Sequence, residues 1–225
     1  FYASRTADEQ VGAVWAMENF LPSEKPKDIM VRRIFQGTGR GFVGSPSPDG
    51  RLFSDIDGKT GNLAVRDLAS GSVRLLTNAP GAWDEYALYS VFSADGTKLA
   101  YTWFNKEAKF EIRTIGVDGT GVRTAFAGID AIDIGPVGWS PDGRNILAFV
   151  SKVGGISEIV MISAGNGSSR VLKKLDGSRL GTVRLSPDGR IVAYDRVDEK
   201  RAHGLDIFLL PVAGGEETPL VSHKA

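Results

Sequence analysis

Ser140-Pro141-Asp142-Gly143 is the stretch whose reading decides the fold. It returns as Ser47-Pro48-Asp49-Gly50, Ser93-Ala94-Asp95-Gly96 and Ser186-Pro187-Asp188-Gly189, and successive aspartates lie 46, 47 and 46 residues apart. Asp-Gly between two apolar runs favours a tight hairpin, because Gly accepts positive φ and Asp tolerates it. Pro ahead of it presets φ and stops the preceding strand. The flanks have strand composition, rich in β-branched and aromatic residues. Val137-Gly138-Trp139 and Val183-Arg184-Leu185 precede the turn, and Asn145-Ile146-Leu147-Ala148-Phe149 and Ile191-Val192-Ala193-Tyr194 follow it.

Working outward, each repeat offers four strands, inner to outer. They are expected at 41–46, 52–56, 63–68 and 72–77; at 87–93, 98–104, 110–116 and 122–127; at 134–140, 145–151, 157–163 and 169–174; and at 181–186, 191–197, 205–211 and 216–221. The third and fourth strands join at small turns such as Asp118-Gly119-Thr120-Gly121 and Gly165-Asn166-Gly167. A four-stranded antiparallel unit repeated every ~45 residues is a propeller blade. The fold class is therefore all-β, a β-propeller of four-stranded antiparallel blades with four blades visible. The blades belong to residues 28–225, with repeats at about 41–77, 87–127, 134–174 and 181–221.

Residues 1–27 read differently, as a helical segment and linker. Thr6-Ala7-Asp8-Glu9 fits a capping box, and Val11, Val14 and Trp15 share one helical face, which predicts a short helix over 7–20. It covers a sheet edge or binds a partner. Pro22-Ser23-Glu24-Lys25-Pro26-Lys27 is a linker, and 29–35 is a lone strand ahead of the first repeat.

Composition narrows function by exclusion. Lys plus Arg equals Asp plus Glu, at 27 each in 225 residues, so no bulk field draws nucleic acid or an anionic membrane. No apolar run approaches the ~20 residues that span a bilayer. With no cysteine, disulfide and thiol chemistry are absent. His203 and His223 are too far apart for a zinc motif, no G-x-S-x-G elbow occurs, and no metal or cofactor is expected. Gly39-Arg40-Gly41-Phe42-Val43-Gly44 matches a dinucleotide fingerprint on paper, but a strand and turn follow it where a helix is required. Asp55-Ile56-Asp57-Gly58 lacks the third acid and terminal Glu of a calcium loop.

The beat Ser186-Pro187-Asp188-Gly189-Arg190-Ile191-Val192-Ala193-Tyr194, and its copy from Ser140 to Phe149, resembles the repeat of the TolB-like β-propellers over about residues 41–223. It departs from the WD-repeat pattern, since the one Trp83-Asp84 pair sits in a loop without a Gly-His partner. The resemblance implies a non-enzymatic scaffold for protein or peptide binding, in the periplasm or secreted. It also implies six or more blades. Four blades and one extra strand leave a ring unfinished, so the chain is expected to be part of a larger propeller. A self-closed ring and a homodimer joined through open propeller edges are the alternatives.

Antiparallel order sorts the loops onto two faces. The Asp-Gly turns share one with the third-to-fourth turns. The second-to-third loops share the other with the blade-to-blade loops, where binding residues collect. On that loop face Asp84, Glu85, Asp130 and Asp133 enter near the axis, and bind a basic peptide or cation or simply accept N–H groups. Trp83 and Tyr86 stack on a ligand or pack between blades, and Arg179 completes the candidate set. Two rival functions stand beside the scaffold: an accessory propeller filtering substrates for a serine peptidase, and a sugar- or cation-binding lectin-like propeller.

Overall fold

The computed structural model describes residues 2–5, 11–18, 30–38, 44–79, 84–198 and 205–221. All of the regular structure among them is β-strand. The first sheet is three-stranded, in the order β1 (Tyr2–Arg5), β2 (Val11–Glu18), β3 (Met30–Thr38). Blade 1 is β4 (Leu52–Ile56), β5 (Leu63–Asp67) and β6 (Val73–Leu75); blade 2 is β7 (Tyr86–Phe92), β8 (Lys98–Phe104), β9 (Phe110–Gly116) and β10 (Arg123–Gly128). Blade 3 is β11 (Ala131–Trp139), β12 (Asn145–Lys152), β13 (Ile156–Ser163) and β14 (Ser169–Asp176). Blade 4 is β15 (Ser178–Leu185), β16 (Ile191–Asp198), β17 (Leu205–Pro211) and β18 (Thr218–Val221). Within each sheet neighbours in sequence are neighbours in space, and every pairing is antiparallel. This up-and-down meander is the order expected of a propeller blade.

Two expectations at the N-terminus are corrected. Val11–Glu18 is a strand, paired with β1 and β3, and not a helix. Val11, Ala13, Trp15 and Met17 also alternate, so the segment satisfies a period of two as well as one helical face. Strand β3 is consequently not alone: it is the third member of a sheet that the repeat count did not include. The parts of the expected helix at 7–10 and 19–20, and the linker at 22–27, lie outside the described residues.

The inner strand of blade 1 is the other departure. Of the expected 41–46, residues 41–43 lie outside the described residues, and Pro46 forms a single bridge to Phe53. The chain still runs beside β4, with Ser54 N donating to Ser45 O at 2.9 Å and Ser47 N to Leu52 O at 2.9 Å. Pro46 has no N–H to extend the ladder. Gly44 lies so close to Ser54 that a Cβ there would collide with the Ser54 carbonyl.

Three apolar cores fill the spaces between consecutive blades. Leu63 and Val65 of blade 1 meet Leu99, Tyr101, Trp103 and Ile115 of blade 2. Ala100 and Ile112 of blade 2 meet Ile134, Ile146, Ala148 and Val160 of blade 3. Leu147, Ile159 and Met161 of blade 3 meet Val183, Val192, Tyr194 and Phe208 of blade 4. Successive residues of β12 therefore serve opposite cores. A strand buried on both faces needs no polar alternation, which explains the unbroken run Ile146-Leu147-Ala148. Polar contacts cross the same interfaces: Ser90 Oγ donates to Ser54 Oγ at 2.8 Å, Thr102 Oγ1 to Ile134 O at 2.6 Å and Trp139 Nε1 to Val91 O at 3.1 Å.

Candidate functional site

The two faces of the stack differ in what their polar side chains do. On the turn face, the serine of each beat donates from Oγ to its aspartate at 2.5–2.6 Å. The same serine oxygen accepts from the backbone N–H five residues on, at 2.9–3.0 Å. Each aspartate also accepts a backbone N–H, such as Arg144 N on Asp142 at 3.0 Å. These bonds hold the carboxyls of Asp49, Asp95, Asp142 and Asp188 below their ordinary range, the serine bond contributing most. The outer turns behave alike, with Asp67 accepting from Ser70 N at 2.8 Å and Asp118 from Thr120 N at 3.0 Å. Acids on this face are turn builders.

On the loop face several acids have no such task. Asp84, Asp130 and Asp176 are exposed, and their side chains make no hydrogen bond or ion pair among the described residues. Asp130 sits between β10 and β11 at a φ of 59°, where a left-handed residue closes a very short connection. Glu85 is partly engaged, accepting from Lys106 N at 3.1 Å. Asp57 belongs to its own hairpin through Thr60 Oγ1 at 2.6 Å, as a loop reading of Asp55-Ile56-Asp57-Gly58 requires.

The repeat places three of the candidates at equivalent points. Tyr86, Asp133 and Arg179 each lie seven residues before the serine of a beat, at or near the start of an inner strand. Tyr86 stacks on Phe104 of its own blade, with ring centroids 5.0 Å apart at 26°. Asp133 is half-buried; its Oδ1 accepts from Ile134 N at 2.9 Å and its Oδ2 from the Tyr89 hydroxyl at 3.1 Å. Burial pushes the Asp133 carboxyl up, against the pull of those two bonds. Burial, followed by the charge of Asp133, pushes the Tyr89 phenol up to about 12. Arg179 lies opposite Val197 in the β15–β16 ladder. Trp83 lies outside the described residues.

Tyr89 was not among the residues singled out from sequence. It is the residue skipped between the Leu88–Thr102 and Ser90–Tyr101 pairs, at a φ of 30°, and that bulge aims its ring at the next blade. The ring meets Phe149 edge-on at 5.4 Å, and a Cβ at Gly135 would collide with the Phe149 ring and press on that of Tyr89. The local signal was present, since Leu88-Tyr89-Ser90-Val91 breaks the alternation of an inner strand. Three exposed aliphatic residues at or leading into blade 3, Ile129, Ile132 and Val153, were also missed, although Ile129 and Val153 stand in loops beside glycines.

Among the described residues no three His, Asp or Glu side chains gather as a metal site. No helix among them is long and apolar enough to cross a membrane. No family model matches the chain, and no curated protein sequence does. Solved structures do. The chain is similar to TolB from Acinetobacter baumannii, at 20% identity and a TM-score of 0.64 over 85% of this chain and 46% of that one. It is similar to a putative TolB from Agrobacterium tumefaciens, at 20% identity and a TM-score of 0.67 over 86% of this chain and 66% of that one. A puromycin-hydrolysing peptidase from Mycobacterium tuberculosis matches at 16% identity and a TM-score of 0.65, over 97% of this chain and 38% of that one. The fold is thus that of the TolB-like β-propellers, and the chain spans less than two thirds of each of these structures.

Proposed function

We propose that the chain is a non-enzymatic β-propeller scaffold whose loop face binds a protein or peptide. One observation carries this reading: acids of the turn face are tied into their own turns, whereas Asp84, Asp130 and Asp176 of the loop face are exposed and unengaged. Exposed acids on loops beside a rigid sheet edge offer charge complementarity, which steers and orients a matching partner. The fold shared with TolB supports a scaffold, and a periplasmic setting is proposed on the same likeness. Panning a displayed peptide library on the immobilised chain tests the idea. Selected peptides should lose capture by Asp130→Ala or Tyr86→Ala and keep it with Arg144→Ala on the opposite face. Binders sensitive only to Arg144→Ala would reverse the choice of face.

The second reading, an accessory propeller of a peptidase, is favoured by the match over 97% of this chain to the puromycin-hydrolysing peptidase. A hydrolase module in the same reading frame would establish it, and a frame without one would remove it.

A further inference from the structure

Large aliphatic side chains are exposed at two kinds of place among the described residues. Val73, Leu75, Val122, Val171, Leu220 and Val221 lie on or beside the outermost strands, spread over four blades. Ile129, in the connection into blade 3, and Ile132 and Val153 of blade 3 lie on the loop face, with 79%, 57% and 71% of their surface exposed. The backbone register brings the three together. Ala131 pairs with Lys152 and Asp133 with Ser151, so Ile132 is the residue left out of the ladder and Val153 follows the last rung. With strands about 4.8 Å apart, the backbone positions of all three lie close together at the loop-face end of β11 and β12.

Backbone irregularities accompany the exposure at each of the three. Ile132 occupies a bulge, a device that re-aims a side chain, and here it takes an isoleucine out of the sheet. Ile129 is held in a tight connection, its N–H donating to Ala127 O at 3.1 Å, ahead of Asp130 at positive φ. Val153 opens a turn closed by Gly154 and Gly155, both at positive φ. Clustered apolar surface with a polar rim marks an interaction site. Acids border it: Asp130 lies between Ile129 and Ile132, and Asp176 closes the cross-strand row Ala131, Lys152, Ile156, Asp176 at the outer edge of the blade, both with unengaged side chains, while Lys152 of that row is bound to Glu158 at 2.8 Å.

We propose that the Ile129–Ile132–Val153 patch seats an apolar segment of a partner protein with basic side chains on either side, which the aspartates of the rim draw in. The proposal rests on the loop-face reading above and adds the place and the chemistry of the partner. Apolar contact supplies the affinity at the centre, and unlike charge at the rim supplies approach and orientation.

Three fluorescein-labelled synthetic peptides of equal length probe it by anisotropy: alternating Leu-Lys, alternating Leu-Glu and alternating Ser-Lys. The wild-type chain should bind Leu-Lys at least about tenfold more tightly than either control. Ile129→Ser with Val153→Ser should weaken Leu-Lys binding by about tenfold or more. Both positions are exposed, so the thermal midpoint should stay unchanged. Equal binding of Leu-Lys and Leu-Glu, or undiminished binding to the double variant, would overturn the proposal. So would a dimer in sedimentation that the double variant abolishes, since the occupant is then a second copy. If library-selected peptides still depend on Asp130 and Tyr86 while the double variant binds Leu-Lys normally, only this inference fails. If they depend on the opposite face, the loop-face reading fails with it.

Discussion

At the scale of single residues, the turn is a small machine that also joins blades. The proline of one beat packs against the glycine of the next: a Cβ on Gly96 would lie 3.6 Å from Pro48 Cδ, and one on Gly189 would lie 2.6 Å from Pro141 Cδ. Gly143 meets nothing within 4 Å, and the beat before it carries Ala94 where the others have proline. Gly143→Ala should therefore cost only the left-handed backbone, about 1–2 kcal/mol, in urea denaturation. Gly189→Ala should cost more, because a rigid ring stands in the way. Ala94→Pro should stabilise by about 0.5–1 kcal/mol through the unfolded chain; a loss instead would show that Ala94 cannot take the proline conformation. The aspartates of the beat set the acid limit. Their folded carboxyls titrate below the ordinary value of 3.8, so the unfolded chain binds more protons as pH drops. The stability they give is complete above that value and disappears as pH falls through the folded ones. Asp133 is shifted upward by burial and acts in the opposite direction. Thermal melts between roughly pH 5 and 2 should fall steeply, and Asp142→Asn with Asp188→Asn should flatten that slope. An unchanged slope would place the acid-sensitive groups elsewhere.

At the scale of elements, strands are joined across blades by charge as well as by apolar packing. Glu217, just ahead of β18, accepts from the buried Tyr194 hydroxyl of β16. It also pairs with Lys173 of β14 in blade 3 at 2.8 Å, and with Arg196 at 3.4 Å. Arg196 lies over the Phe208 ring at 4.1 Å. Burial opposes the Glu217 charge, but bonds from Lys173 and Tyr194 outweigh it and hold the carboxyl below its usual range. Glu217→Ala should destabilise by about 2 kcal/mol in urea, while Lys173→Ala should cost less because Arg196 and Tyr194 remain. Equal losses would mean that the Lys173 pair carries the whole contact. This cluster was illegible in the sequence, since Lys173 and Tyr194 come from different strands and Glu217 from the turn before a third, and only the packed blades bring them together. The strands themselves were legible: Lys98–Phe104, Phe110–Gly116 and Leu205–Pro211 fall where the beat predicted them. Val11–Glu18 was misread because its apolar residues fit two periods and a capping-box pattern tipped the choice to helix. Of the candidate site, the residues at blade entries could be placed by counting back from the beat, as with Tyr86, Asp133 and Arg179. Bulges were harder to place: broken alternation hints at the one that aims Tyr89, but which way a bulged side chain such as Tyr89 or Ile132 turns is set by the packed ladder.

At the scale of the molecule, stability is a sum over neighbours. Each blade contributes its own ladder and its share of the core on either side. The middle strands of blade 3 serve both neighbours, and Ile146, Leu147, Ala148, Ile159 and Ile162 are fully buried. Outer strands have one ladder partner and little apolar cover: all three residues of Val73–Leu75 and all four of Thr218–Val221 are exposed. Opening should therefore proceed from the outside inward. Amide exchange should be slowest in β12 and β13 and fastest in β6 and β18, with β8 close to β12, because Leu99, Ala100 and Tyr101 are equally buried. Partner binding on the loop face should then slow exchange around residues 129–133 and 153–155 without altering β6 or β18. Such a pattern separates a rigid platform that presents a surface from a fold that rearranges to bind. Uniform protection gained across all blades on peptide addition would instead show that the stack orders as one body when it is occupied.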